Sequence, residues 1–360
     1  MKKFNYFLDS DIDELQKMLS NELNQMSGST VLVTGAAGFL GRYLIAVFQA
    51  HNLLHPRPIN LIAIDNYITS IPLEKNDSRK IDPNIEWIYG DAQIAAELPN
   101  HIDYIIHAAG IASPEHYQAN PLETVDVAVN ATKKLLEKAR ICKARFLYFS
   151  SSEIYGDPHP QFVPTSEDFR GNVSCRGPRA CYDESKRLAE TLCWIYQQYF
   201  DLKIFVIRPF NIFGPGMMPK DYRVLPNFAS AIFKNEPLLV YGDGRQTRTF
   251  CYVTDAIKFM LKILVNGNYS DVYNVGNPNP EISMIDLARK VREITNTDSK
   301  INIVGYPEKY PKDDPSRRCP NIDKYTSTFQ DQPIIILDEG LKRFFSWSKL
   351  NYPLVNITQP

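Results

Sequence analysis

The chain has almost no net charge, no long apolar run and no cysteine pattern. Forty Lys and Arg stand against 41 Asp and Glu, a formal charge of −1 over 360 residues. Such a balance gives no sign of a polyanion partner, while leaving room for a local basic pocket. The six cysteines (Cys142, Cys175, Cys181, Cys193, Cys251 and Cys319) form no CxxC pair and no Cys/His cluster at metal spacing. A reducing, cytoplasmic setting without a structural metal is expected. No stretch has the length of a membrane span. The opening MKKFNYFLDSDIDELQ turns acidic before any apolar run develops, unlike a secretory signal. No repeat or low-complexity tract occurs, and the 25 prolines are scattered through presumed loops. Neither nucleic acid nor a membrane is expected as a partner.

What is there is an ordinary globular composition, 44% hydrophobic and 22% charged, with length for one large domain or two lobes. Residues 8–26 run near a helical period until Gly28 and predict a helix ahead of the main domain. From Thr30 the rhythm changes. Thr30–Val33, Asn60–Ile64, Tyr104–His107, Arg145–Ser150 and Lys203–Arg208 read as buried strands, with helices between them at 40–49, 121–141 and 183–200. Strands alternating with helices predict a doubly wound parallel sheet of Rossmann type, covered on both faces. Beyond Arg208 the pattern loosens: helices at 225–234, 254–265 and 283–295, strands at 238–241 and 272–275.

The first strand runs into VTGAAGFLGRYL, with Gly35, Gly38 and Gly41 spaced GxxGxxG. A glycine triplet between a strand and a helix is the setting of a dinucleotide fingerprint. Gly35 permits the tight turn, Gly38 the approach of a pyrophosphate to the helix N-terminus, and Gly41 close packing of the helix. Asp65 ends the second strand, where a carboxylate accepts from an adenosine ribose and repels a 2′-phosphate, favouring NAD over NADP. Asp91, in YGDA, either faces the adenine or serves as a turn residue.

Tyr182 and Lys186 in ACYDESKRLAE stand one turn apart on one helix face. A lysine there is expected to favour the phenolate, which then takes a proton from a hydroxyl as hydride leaves the same carbon. Ser151 or Ser152, at the end of FLYFSSSEIYGDP, supplies a third polar group. The same stretch carries Glu153, a carboxylate just past an apolar strand, which either meets water there or works in a site.

Together TGAAGFLG, FSSSEIYG and YDESK resemble the extended short-chain dehydrogenase/reductase superfamily, in its nucleotide-sugar branch. The resemblance covers about Thr30 to residue 345 and extends to HAAG at 107–110, RPFNIFGPG at 208–216 and VYGDGRQTRTFCYV at 240–253. It implies tightly held NAD, recycled in each turnover, and a smaller mixed α/β C-terminal lobe for the nucleotide sugar. The implied division is a helical extension at 1–28, a NAD-binding domain at 29–208 plus about 240–275, and a sugar-nucleotide lobe at 209–239 plus about 276–345. Phe39, Leu40, Asn66, Ala108 and Ala109 would join the cofactor contacts. Helices 121–141 and 183–200 would pair across a two-fold axis into a homodimer.

Within the branch, epimerases usually lack an acid at the position of Glu153, and 4,6-dehydratases carry an Asp-Glu pair. Ser152-Glu153 is similar to the UDP-glucuronate decarboxylase subfamily, as are GPRACYDESKR at 177–187, ASPEHYQANP at 112–121 and KDDPSRRCPNI at 312–322. The implied reaction converts UDP-glucuronate to UDP-xylose through a 4-keto sugar. A 4-epimerase or 4,6-dehydratase, or a non-catalytic dinucleotide sensor, are the competing readings. By resemblance Glu153 would act near C5 or C4, and Arg248 would contact the sugar carboxylate or the diphosphate. Tyr117, Asn211 and Arg223 would touch the nucleotide sugar, Asn211 at the diphosphate. Tyr241 would lie near the base, Gln246 near the ribose, and Arg318 near ribose or phosphate. The chain departs from the subfamily at Gly216, where arginine is common.

Overall fold

The structure is a computed structural model and describes residues 4–71, 82–219, 221, 223–269, 271–306 and 315–355. The predicted N-terminal helix is two, α1 (Asp9–Met18) and α2 (Ser20–Met26), with a turn at Leu19. Leu15, Leu19 and Leu23, spaced four apart, are all fully buried. Asp11 is buried with them and accepts from the hydroxyls of Tyr43 and Tyr252 at 3.1 and 2.9 Å and from Arg343 at 3.1 Å. Its carboxyl is raised by burial, against the pull of these donors.

The main sheet has seven parallel strands. In chain order these are β1 (Thr30–Thr34), β2 (Asn60–Asp65), β3 (Ile85–Tyr89), β4 (Tyr104–His107), β5 (Arg145–Phe149), β6 (Ile204–Pro209) and β11 (Val272–Val275). Their spatial order is β11-β6-β5-β4-β1-β2-β3. The order reverses between β1 and β4, so the crevice at their C-terminal ends is where a ligand seats. Helix α3 (Phe39–Leu54) covers one face. The other is covered by α4, a helix in three pieces (Pro121–Val125, a π-helical Asp126–Ala131 and Thr132–Cys142), and by α5 (Ala180–Phe200). Strand residues alternate between two apolar cores: Val31 and Val33 face α3, Leu32 and Ile105 face α4. At the switch point His107 is fully buried between the hydroxyls of Thr34 and Thr132, at 2.7 and 3.1 Å. Burial first, then the Lys186 ammonium, lowers its pKa to about 3, so it is a neutral pin between strands and helix.

After β6 the chain builds smaller units beside the strand ends: β7 (Ile212–Phe213), α6 (Val224–Lys234), β8 (Leu238–Tyr241), β9 (Thr247–Arg248) and β10 (Cys251–Tyr252). Helix α7 (Val253–Asn266) returns under the main sheet to feed β11. Then come β12 (Ile282–Ser283), α8 (Met284–Thr295), β13 (Ile301–Val304), β14 (Arg317–Arg318) and α9 (Leu337–Asn351). Strand β13 pairs parallel with β8, and β9 lies between β12 and β14. Among the described residues no helix is long and apolar enough to cross a membrane, and no His/Cys/Asp/Glu group could hold a metal. The six cysteines are free thiols.

Candidate active site

The turn after β1 is compact because two glycines let it be. Gly35 has φ +69, and a Cβ on Gly41 would stand 2.1 Å from the Gly35 carbonyl oxygen. Gly38 is the N-cap of α3 and offers no side-chain cap, which leaves the first-turn amides around Phe39 and Leu40 without a side-chain acceptor. Open amides at a helix start suit a pyrophosphate. Asp65, buried at the end of β2, accepts from the amides of Ala37 at 2.9 Å and Tyr67 at 2.8 Å and from Ser70 Oγ at 2.9 Å. Its carboxylate thus ties the glycine turn to β2 as well as bordering the cleft. The cleft is lined by Gly35, Gly38, Asp65, Asn66, Ala108 and Ala109, with Asp91 on the far wall. Asp91 also caps the short helical turn Ala92–Glu97, accepting from the Gln93 amide at 2.9 Å, so its two expected roles are compatible. A turn that any Cβ would fill, open amides and a strand-end carboxylate together fit a dinucleotide.

Strand β5 ends at Phe149 and delivers three serines to the crevice. Ser151 caps the turn Ser152–Tyr155 by accepting from the Glu153 amide at 3.2 Å, and its hydroxyl stands near enough to the Tyr182 phenol to pull its pKa down. Ser152 is buried beside it. The start of α5 places Tyr182 and Lys186 over this strand end. Lys186 Nζ donates to the Phe149 carbonyl at 2.6 Å and lies 5.9 Å from the Tyr182 ring centroid. Burial brings the Lys186 pKa down to about 8. Burial also pushes Tyr182 up to about 12. The lysine was expected to lower the phenol; instead burial raises it, with Ser151 and the Arg223 charge pulling the other way. Tyr117 stacks on Tyr182, centroids 5.4 Å apart and planes 13° apart.

Glu153 is not a solvated strand end. Its side chain is 19% exposed and lies between two guanidiniums. Arg318 grips it with both nitrogens, Nη1 to Oε1 at 2.6 Å and Nη2 to Oε2 at 2.7 Å. Arg179 Nη2 donates to the same Oε2. Arg318, expected near the ribose or a phosphate, is thus also an ion-pair partner of Glu153. Arg179 and Asp183 were missed as site residues, although both stand in GPRACYDESKR four positions apart. Arg179 Nε reaches Asp183 Oδ2 at 3.2 Å, and burial pushes the Asp183 carboxyl up to about 7 against the pull of Arg179.

The remaining residues come from the second lobe. Arg248 is buried and is the register partner of Arg318 across β9 and β14, so two guanidiniums enter from neighbouring strands. Arg248 Nη1 donates to the Thr247 carbonyl at 2.8 Å. Asn211, in a left-handed conformation, donates to the Thr249 carbonyl at 3.0 Å. Gln246 donates to the Tyr241 carbonyl at 3.0 Å, and Tyr241 stacks with Tyr306 at 6.3 Å. Arg223, which precedes α6, is paired with Asp221. Residues 312–314 of KDDPSRRCPNI lie outside the described residues. Gly216 has a structural cause: with φ +96, a Cβ there would stand 2.5 Å from the Tyr6 carbonyl oxygen. The segment before α1 occupies the space an arginine would need.

A Rossmann sheet, a glycine cradle at its switch point and a Ser–Tyr–Lys set at the next strand ends define a dinucleotide-dependent enzyme acting on a hydroxyl. The chain belongs to the NAD dependent epimerase/dehydratase family, whose model matches residues 31–276. It is 38% identical over 314 residues to UDP-glucuronic acid decarboxylase 4 of Arabidopsis thaliana, covering 86% of this chain and 66%, just under two thirds, of that relative. UDP-glucuronic acid decarboxylase 6 of the same plant is 38% identical over 327 residues, 90% of each chain. A variant of UDP-glucuronic acid 4-epimerase from Bacillus cereus, solved with UDP-4-deoxy-4-fluoro-glucuronic acid and NAD, superposes with TM-score 0.76 at 25% identity. It covers 90% of this chain and 100% of that one.

Proposed function

We propose that this chain converts UDP-glucuronate to UDP-xylose and CO2. The observation that carries the reading is Glu153, held by Arg179 and Arg318 one turn beyond the Ser151–Tyr182 pair. The similarity to UDP-glucuronic acid decarboxylases over most of the chain supports it. The cofactor is NAD; the glycine turn, Asp65 and Lys186 would hold it, and when bound it would supply reversible hydride transfer at C4. Ser151 holds the C4 hydroxyl and Tyr182 takes its proton. The resulting 4-ketone stands β to the carboxylate and accepts the electrons of the C5–CO2 bond as it breaks. Arg318 or Arg248 meets the sugar carboxylate, since a guanidinium matches it in shape and charge. Glu153 serves the proton transfer at C5 or C4, the proton that replaces CO2 at C5 coming from water, and Tyr182 returns its proton to the C4 oxygen. Incubation with UDP-glucuronate tests this: CO2 and a UDP-pentose by mass spectrometry are expected. An isomeric UDP-uronate without CO2 would make the chain an epimerase, and no product would favour a sensor.

The same reading puts the cofactor on the 29–208 and 240–275 segments, the nucleotide sugar on 209–239 and 276–345, and the protein in the cytoplasm as a homodimer. Helix α5 supports the dimer. Ala189, Cys193 and Tyr196 face the sheet, while Leu188 is 50%, Trp194 55% and Tyr199 73% exposed. Leu122 and Ile141 are exposed on α4. Exposed apolar helix faces of this kind suit a four-helix interface. Light scattering is expected to give twice the 41.2 kDa chain mass, and Leu188→Glu with Trp194→Glu to give the monomer. A parent that is monomeric at micromolar concentration would reject the dimer.

A further inference from the structure

Arg179 and Asp183 have no part in the reaction as described, yet they are the most deeply placed charges around Glu153. Both stand at the start of α5, the helix that carries Tyr182 and Lys186. Arg179 divides its guanidinium between Glu153 Oε2 and Asp183 Oδ2. Asp183 is buried, and its other oxygen, Oδ1, has no hydrogen-bond partner. Counting Arg318, two guanidiniums face two carboxylates, and with both acids ionised the cluster is neutral. Of the two guanidiniums offered to a uronate carboxylate above, Arg248 and Arg318, only Arg318 is held by Glu153, and if it takes the carboxylate it turns away from Glu153. The two partners of Glu153 are not equivalent. Arg179 is tied to Asp183 one turn along its own helix, whereas Arg318 sits on the two-residue strand β14 and has Glu153 as its ion-pair partner.

We propose that Arg179 is a positioning residue that keeps Glu153 in place when Arg318 turns to the substrate carboxylate, and that Asp183 sets the charge this cluster presents to that carboxylate. The inference rests on the uronate substrate proposed above. The groups around Asp183 are Arg179, Cys181 and Tyr182 on α5, Glu153 from the turn after β5, Arg318 from β14 and Tyr117 from the helix Pro114–Ala119. Burial holds the Asp183 carboxyl near pH 7, as described above. Below that pH it is neutral and the cluster carries one net positive charge; above it the charge is zero. UDP-glucuronate carries one carboxylate more than UDP-xylose. Its affinity relative to UDP-xylose therefore falls as pH rises through neutrality, by on the order of tenfold, the effect of one neighbouring charge.

Calorimetric titration of the NAD-loaded Tyr182→Phe enzyme, which the reading makes unable to oxidise C4 and which serves as the parent for this ratio, with both nucleotide sugars between about pH 6 and 8 measures that ratio without turnover. In Asp183→Asn the ratio is expected to stay at its low-pH value throughout. Arg179→Gln is expected to lower kcat about 10²-fold while the Kd for UDP-glucuronate moves only a few-fold, with Arg179→Lys recovering part of the rate. A pH-independent ratio in the parent, or an Asp183→Asn enzyme that shifts both ligands alike, overturns the charge-setting role. An Arg179→Lys enzyme no better than Arg179→Gln, with both losing rate only in step with thermal stability, overturns the positioning role. CO2 release by the unsubstituted enzyme reports separately on the proposed reaction.

Discussion

Tyr182→Phe is expected to abolish turnover of UDP-glucuronate and to give no NADH absorbance when substrate is added. The phenol lies beside Ser151 at the strand end, over the crevice. Losing a positioned acid–base group costs typically 10²–10⁴ in rate, and here the loss falls on the first step, so no later species forms. Folding should be little affected, because the ring that stacks on Tyr117 is retained. The buried phenol, pushed up to about 12, adds a pH signature: hydroxyl oxidation is expected to speed up with rising pH until the base is ionised. Stopped-flow absorbance after mixing with substrate reads both effects. NADH forming at parental rates in the Phe variant would remove Tyr182 from proton transfer and leave YxxxK as a structural pair.

Glu153→Gln is expected to lower kcat by roughly 10²–10⁴ for a different reason, and at a different stage. The amide keeps the size of the side chain but removes the charge shared by Arg179 and Arg318. UDP-glucuronate is expected to bind as well as before or more tightly, since Arg318 loses its competitor for the sugar carboxylate. Stability should fall on the order of 2 kcal/mol, because two enclosed guanidiniums are left with Asp183 alone. If the carboxylate acts after oxidation, this variant still accumulates NADH or a 4-keto sugar where Tyr182→Phe accumulates neither. A Glu153→Gln enzyme with near-parental kcat would return Glu153 to a purely structural ion pair and weaken the case for decarboxylation over epimerisation.

The dinucleotide half of the site was legible in the sequence because its parts are neighbours along the chain. Gly35, Gly38 and Gly41 lie within one strand-turn-helix unit, and any fold that keeps this unit keeps their spacing. Tyr182 and Lys186 are one helical turn apart for the same reason. Asp65 was placed correctly at a strand end, but its hold on the Ala37 amide was not visible, since that contact needs β2 laid beside β1. Strand β13 and helix α9 were missed. Ile301–Val304 is a short strand whose central pair, Asn302 and Ile303, is exposed, and the apolar face of α9 makes sense only against α6, α8 and the segment before α1.

Local spacing thus determined the fold class, the cofactor cradle and the Tyr–Lys pair, since each depends on the period of one helix or one turn. The meaning of Glu153 was decided by the tertiary structure. Arg318 is 165 positions away and Arg179 is 26, and no periodicity links an acid to a guanidinium at such distances. Only the packing of β14 and the start of α5 around one strand end brings them together. Gly216 is similar, its missing side chain explained by a carbonyl from Tyr6 at the other end of the chain. The protonation of Tyr182 follows the same rule. Lys186 stands one helical turn away, yet the largest effect on the phenol is burial, and burial is a property of the assembled fold.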